Sequence, residues 1–162
     1  MAKKNKKSKT DTPTFDNRRA RHDYFIEDTM EVGIVLEGSE VKSIRDGSCS
    51  LKEGFITVDL EPPRLTLHQV DIAPYQPAGA LNHRPKRDRM LLAKKREIER
   101  LMRAVDIKGV TLIPLKLYFS GAYAKVSLGI CKGKAQHDKR HAIADRENQR
   151  EMQRAMSQRM KF

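Results

Sequence analysis

Residues 109–119 and 123–131 constrain this chain more than any other stretch. Both are rich in β-branched, aromatic and leucine side chains, and the apolar alternation of the second runs up to Ile130. Period-two spacing of this kind belongs to a strand with one dry face and one wet face. Ser120, Gly121 and Ala122 between the runs have turn composition, so the two stretches read as an antiparallel hairpin. Pro114 has no amide hydrogen to give to a ladder, which places it at an edge or a bulge. The dry face of such a hairpin must be covered by other elements, and the rest of the chain supplies them.

Residues 55–60 and 65–70 flank Glu61, Pro62, Pro63 and Arg64 and read as a second hairpin. A strand begins at Tyr24, Phe25 and Ile26, entered directly from the arginine cluster before it. Residues 31–36 continue it, either as a second strand or as the far end of one long bent strand. Gly33 then marks a bulge or a barrel corner. Residues 38–47 suit a short helix: Ser39 can cap it, Val41 and Ile44 share a face, and Gly47 can close it. Its polar face of Glu40, Lys42, Ser43 and Arg45 is expected in solvent. Pro74, Pro77, Gly79 and Asn82 make residues 73–85 a loop. From Asp88 as N-cap, Leu91, Leu92, Ile98, Leu101, Met102 and Val105 recur at near-helical spacing before Gly109. That predicts a helix of about four to five turns with Lys94, Lys95, Arg96, Arg100 and Arg103 on its wet side. About six strands with an inserted helix fit a mainly β fold. We expect an OB-like antiparallel six-stranded barrel with two to three short helices; a helix-flanked open sheet is the alternative. A chain of 162 residues suits one such core with tails.

The net charge of +12 is grouped rather than scattered. Residues 1–21 carry eight Lys/Arg against two Asp/Glu, residues 132–162 nine against four, and residues 84–108 ten against four. Three basic blocks suit a polyanion gripped at several places, whose phosphates release counterions on binding. An anionic membrane surface is the rival partner. No run approaches the ~18 apolar residues of a bilayer span, and the lysine-rich start lacks an apolar stretch of signal-peptide length. The default expectation is a cytoplasmic protein without a membrane partner. Cys49 and Cys131 form no Cys-x-x-Cys pair and no histidine cluster has ligand spacing, so both read as core thiols and neither metal nor cofactor is expected. His68 and His83 are single histidines without a visible partner.

Residues 1–16 cannot bury enough surface to fold alone and read as a disordered basic arm, solubilising or RNA-contacting. At the other end, residues 132–140 carry five charges and one glycine, Gly133, where the strand pattern stops. The barrel is therefore expected over residues 17–131, with a hinge and basic tail over 132–162. On a helix, Arg146, Arg150 and Arg154 stack along one line, while Met152, Met156 and Met160 form a thin stripe on much of the opposite side. A helix without a packed face is marginal in water, so this tail is expected to be disordered when free and to fold on contact.

Five motifs in order resemble one family. They are Asn17-Arg18-Arg19-Ala20-Arg21-His22-Asp23-Tyr24-Phe25-Ile26, Gly38-Ser39-Glu40-Val41-Lys42-Ser43-Ile44-Arg45, Arg89-Met90-Leu91-Leu92, Gly109-Val110-Thr111-Leu112, and Gly133-Lys134 with Asp138-Lys139-Arg140. The sequence is similar to the small protein B family, the SsrA-binding proteins of bacterial trans-translation, from residue 17 to about 156. The resemblance implies an OB-like barrel that binds the tRNA-like domain of transfer-messenger RNA and accompanies it to stalled ribosomes, standing in for the missing anticodon arm. It implies RNA contacts at Asn17, Arg18, Arg19, Arg21, His22, Glu31, Leu92 and Lys125. Gly133 matches the hinge of the tail, and Lys132, Gly133 and Lys134 are placed with the residues that meet the ribosome's decoding centre and channel. His137, Asp138, Lys139 and Arg140 match residues of the decoding centre and the mouth of the mRNA channel. The later tail, with Arg146, Arg150, Arg154 and Met156, matches a segment that turns helical in that channel. Ala135 and Asn148 depart from the lysine and aromatic found there in relatives.

The implied protein is a monomeric RNA-binding factor with no catalytic residue. Two other classes compete. A nuclease would use His137, Asp138 and His141 as acid and base, but neighbours in sequence point apart on regular backbone and no carboxylate cluster for a metal is visible. A structural ribosomal protein, or a generic RNA chaperone, would also carry basic ends on a small barrel.

Overall fold

The computed structural model describes residues 13–135, and singly Met152 and Met156. A short β1 (Phe15–Asp16) leads into α1 (Arg18–Asp23), which passes straight into β2 (Tyr24–Ile34). Helix α2 (Gly38–Arg45), β3 (Cys49–Ser50), β4 (Phe55–Leu60), β5 (Pro63–His68) and β6 (Asp71–Ile72) follow. A 3-10 turn at Gln76–Leu81, β7 (Arg89–Leu92), α3 (Lys95–Val105), β8 (Val110–Ser120) and β9 (Tyr123–Gly133) complete the order.

Six strands close a ring in the order β8, β4, β5, β7, β2, β9 and back to β8, every pairing antiparallel. The expected barrel is present, and its seams are uneven. Strands β8 and β9 run together from Val110 opposite Lys132 to Ser120 opposite Tyr123, whereas β4 meets β8 at Ile56 opposite Leu112. Strand β1 extends the outside of β8, and β3 with β6 forms a separate ribbon. Leu65, Leu67, Leu91, Leu112, Leu117, Val126 and Leu128 fill the interior, with Ile44 from α2 and Ile98 and Leu101 from α3 joining the same core.

Pro114 does what its chemistry requires: the β8–β9 register slips between Pro114 and Lys116. That slip lets one strand be dry on both sides. Leu112 and Leu117 face the barrel interior, while Ile113 and Leu115 turn outward to meet Ala20 of α1 and Cys131. The side chain of Leu115 comes so close to Gly129 that a Cβ there would sit 2.7 Å from its Cδ1, so glycine is the residue that fits.

Several expectations need correction. The arginine cluster does not enter a strand directly; it forms α1, capped by the Asn17 side chain. Of the two readings for residues 24–36 the single long strand holds, over Tyr24–Ile34, with its bulge between Ile26 and Asp28 rather than at Gly33. Helix α2 has Glu37, not Ser39, at its N-cap, where the Glu37 N–H donates to Glu40 Oε2 at 2.8 Å, although Gly47 does close it with φ of +86°. Asp88 caps nothing. Arg89–Leu92 is a strand whose side chains alternate buried and exposed, and α3 begins only at Lys95, giving eleven residues. Strand β9 continues through Lys132 and Gly133, past the expected end of the barrel.

The supposed wet face of α2 holds the deepest polar cluster in the described residues. Glu40 and Arg89 are both fully buried, with Arg89 Nε donating to Glu40 Oε1 at 2.8 Å. Arg87 grips the same carboxylate through Nε at 2.8 Å and Nη2 at 2.6 Å. The remaining Arg89 nitrogens donate to the carbonyls of Val70, Arg87 and Pro85. Ser43 is buried too, and its hydroxyl donates to the carbonyl of Ala73. The histidines also have partners: buried His83 meets the Ser39 hydroxyl and the Ile72 carbonyl, and His68 sits between Thr57 and Asp88.

Candidate nucleic-acid interface

Two groups of expected RNA-contacting residues lie at opposite ends of β2. Helix α1 is at the first end because Asn17 holds it there. The Asn17 amide donates to the carbonyls of Leu51 at 2.9 Å and Pro114 at 3.0 Å, and its oxygen accepts from Ala20 N at 3.1 Å. With these bonds the side chain is buried and fully engaged. Ala20 is the residue α1 turns inward, while Arg18, Arg19 and Arg21 are exposed. Arg19 pairs with Asp23 at 3.3 Å, and His22 Nδ1 lies 2.9 Å from the same carboxylate.

Asn17→Ala should therefore lower stability by about 2–3 kcal/mol, from a lost cap and unpaired buried carbonyls. Arg18→Ala should leave the melting temperature within a degree or so of wild type, as exposed sites generally do. Thermal melts of the two variants separate a residue that positions the helix from one that is free to meet a ligand. Equal melting temperatures would contradict the assignment.

The root of the tail shares this end. Lys132 is opposite Phe25 and Gly133 opposite Tyr24 on the β2–β9 ladder. Lys134 N donates to the Asp23 carbonyl at 3.0 Å, and its ammonium lies 3.2 Å from the Arg21 carbonyl and 4.9 Å from the centre of the exposed Phe25 ring. Gly133 has no left-handed φ, and a Cβ there would meet nothing within 4 Å. Of the expected tail residues, Met156 is in helical backbone and exposed. His137, Asp138, Lys139, Arg140, Arg146, Arg150 and Arg154 lie outside the described residues.

The second group forms at the other end, where Gly33 faces Leu92 on β7 and Lys125 on β9. Glu31, Leu92 and Lys125, distant in sequence, line one depression of about 580 Å³ with Val32, Gly33, Ala93, Lys94 and Glu97. Lys125 and the Tyr118 hydroxyl both donate to the Glu31 carboxylate. Leu92 is 55 % exposed and supplies the apolar wall. Tyr24 to Glu31 is seven steps of extended chain, which puts about 23 Å between the two groups.

The middle basic block borders this depression. Lys94, Lys95, Arg96 and Arg103 are exposed and carry no ion pair among the described residues, whereas Arg100 is held by Asp28 at 2.5 Å. Of this block only Leu92 is among the expected contacts, and none of its cations; their signal is the run of Lys and Arg flanking a marked apolar stripe. Neither cysteine is poised as a nucleophile. Burial pushes the Cys49 thiol up to about 12 and the Cys131 thiol up to about 11, so both stay protonated at neutral pH. No group of three His, Cys, Asp or Glu able to hold a metal, and no helix long and apolar enough to cross a membrane, occurs among the described residues.

A closed antiparallel barrel with unpaired cations at one end of β2 and on a flanking helix is a polyanion-binding module of the OB-like class. Comparison with known proteins narrows that class. The family model described as SmpB protein matches residues 14–158, and the chain belongs to the SmpB family. The SsrA-binding protein of Moorella thermoacetica is 51 % identical over 147 residues, 90 % of this chain and 94 % of that protein. The SsrA-binding protein of Geobacillus thermodenitrificans is 48 % identical over 146 residues, 90 % of this chain and 93 % of the other. A solved structure described as "tmRNA-SmpB: a journey to the center of the bacterial ribosome" is similar with a TM-score of 0.66 and 44 % identity, covering 81 % of this chain and 94 % of that one.

Proposed function

We propose that this protein binds transfer-messenger RNA and delivers it to stalled ribosomes for trans-translation, acting by RNA recognition rather than catalysis. One observation carries the reading: a chain about half identical, nearly end to end, to SsrA-binding proteins folds into a barrel that presents its cations in discrete patches. The depression of Glu31, Leu92 and Lys125 is one contact with the tRNA-like domain, and α3 extends it with cations suited to phosphates. Arg18, Arg19, Arg21 and His22 form a second contact. Asn17 serves by holding α1 in place. From Lys134 onward the tail, with His137, Asp138, Lys139, Arg140 and the later arginines, works on the small-subunit RNA. The cytoplasm is where such a factor acts.

A titration against transfer-messenger RNA, an elongator tRNA and duplex DNA across salt concentrations tests this. The expected result is binding to the first that survives physiological salt, with the other two at least about tenfold weaker. Equal and equally salt-sensitive binding to all three would leave a generic basic protein. Within that assay Lys125→Ala should weaken transfer-messenger RNA binding by roughly five- to tenfold, through loss of a cation and release of the Glu31 carboxylate. An unchanged affinity would remove that depression from the interface.

A further inference from the structure

We infer that Phe55 and His68 form a stacking platform for one unpaired base of the bound RNA, with Lys52 and Arg19 beside it for that nucleotide's phosphate. This rests on the transfer-messenger RNA reading above and adds a contact that the family motifs did not suggest. Phe55 on β4 and His68 on β5 are direct cross-strand partners. Their rings are stacked with centroids 4.9 Å apart and planes 21° from parallel. Phe55 remains 42 % exposed.

What sets this pair apart from a chance surface contact is how the imidazole is held. Its Nδ1 lies 2.8 Å from Asp88 Oδ1 and its Nε2 lies 2.9 Å from Thr57 Oγ1. One ring nitrogen faces a carboxylate oxygen and the other a hydroxyl, so each has a hydrogen-bond partner. Both edges of the ring are engaged, so it cannot swing, and Phe55 is backed by a fixed plane. A flat aromatic surface fixed before binding loses little entropy on meeting a base, and every base has a π-face to offer.

Phe55 also lines a depression of about 400 Å³ with Asn17, Arg19, Tyr24 and Lys52. That volume is within the range of small-ligand pockets, roughly 300–1,000 Å³. Both acids of the depression are already committed, Asp23 to Arg19 and His22, and Glu53 to Lys86 at 2.8 Å. Lys52 is exposed and has no ion pair among the described residues. A ring, a free ammonium and a guanidinium around one hollow suit a nucleotide turned out of its helix, the form in which proteins read RNA bases most directly. The hollow is continuous with α1, so the base is assigned to transfer-messenger RNA rather than to ribosomal RNA.

The test uses full-length protein and a full-length transfer-messenger RNA transcript. Phe55→Leu keeps apolar bulk and removes the ring plane; it should weaken binding about tenfold with an unchanged salt slope. Phe55→Tyr should bind like wild type. Lys52→Ala should lower the slope of log affinity against log salt by about one. Melting temperatures of all three should match wild type. Wild-type affinity in Phe55→Leu, equal losses in Phe55→Leu and Phe55→Tyr, or an unchanged slope in Lys52→Ala would each overturn the platform. A Phe55→Leu defect confined to ribosomes already carrying the RNA would overturn its assignment to transfer-messenger RNA. Failure of the wild-type protein to bind the transcript would instead sink the parent reading before any variant is compared.

Discussion

Arg89→Ala is expected to destabilise the barrel by about 3–5 kcal/mol, the usual consequence of leaving a buried partner charge uncompensated. For a domain of this size that is a fall of about 10 °C or more in melting temperature. The loss has two sources. Glu40 would keep Arg87 but lose the guanidinium beside it in the interior, and the carbonyls of Val70 and Pro85 would lose their donors. The double change Arg89→Met with Glu40→Leu should recover much of the loss, because apolar groups of similar size often replace a buried pair without penalty. A melting temperature unmoved by Arg89→Ala would show that the network is ornamental.

The same cluster gives a pH signature. Burial pushes the Glu40 carboxyl upward, but hydrogen bonds from Arg87, the Glu37 amide and Arg89, with the Arg89 charge, outweigh it and hold the group below its ordinary 4.5. A carboxylate with a depressed folded value contributes fully above its unfolded value. That contribution drains away as pH falls through the lower, folded one. Acid unfolding below about pH 4.5 should therefore be shallower in Glu40→Gln than in wild type, although the variant starts from lower stability. Parallel acid profiles would assign the acid sensitivity to other carboxylates.

Removing residues 141–162 is expected to leave affinity for transfer-messenger RNA within about threefold of wild type and to abolish ribosome rescue. The barrel ladder ends at Gly133, and Lys134 N donates to the Asp23 carbonyl, so the cut falls past both. The deleted stretch holds five Lys/Arg against three Asp/Glu, so the salt slope should fall modestly. Replacing Asp138, Lys139 and Arg140 together with alanine should leave the melting temperature unchanged for the same reason. Loss of RNA binding by the truncated protein in a gel-shift or fluorescence titration would refute this division between barrel and tail.

The sequence made the regular parts legible. Residues 109–131 carry strand periodicity, turn residues and a proline whose missing amide hydrogen marks a bulge, and each signal agrees with the others. Short elements were harder. Helix α1 is six residues, less than two turns, and strand β7 is four, so neither repeats often enough for a period to show. Glu40 misled most. A charged residue reads as solvent-facing, and only its distant partner Arg89 makes burial affordable, a pairing no local pattern reveals. The candidate site was legible through the family resemblance rather than periodicity, because Glu31, Leu92 and Lys125 meet by strand register alone. Phe55 and His68 escaped for the same reason, being joined by a hairpin register that leaves no mark on their spacing.

The β2–β9 ladder also works as a ruler. Backbone pairing locks the two strands together from Gly33 opposite Lys125 to Tyr24 opposite Gly133. The distance from the Glu31 depression to the point where the tail departs is thus set by the pitch of extended chain, about 3.3 Å per residue. It cannot be adjusted by bending a loop. Lengthening it takes matched insertions in both strands, two residues at a time, since a single one would turn every later side chain to the opposite face. Apart from the one-residue bulge between Ile26 and Asp28, keeping every side chain on its face ties any change in this span to steps of roughly 6.6 Å.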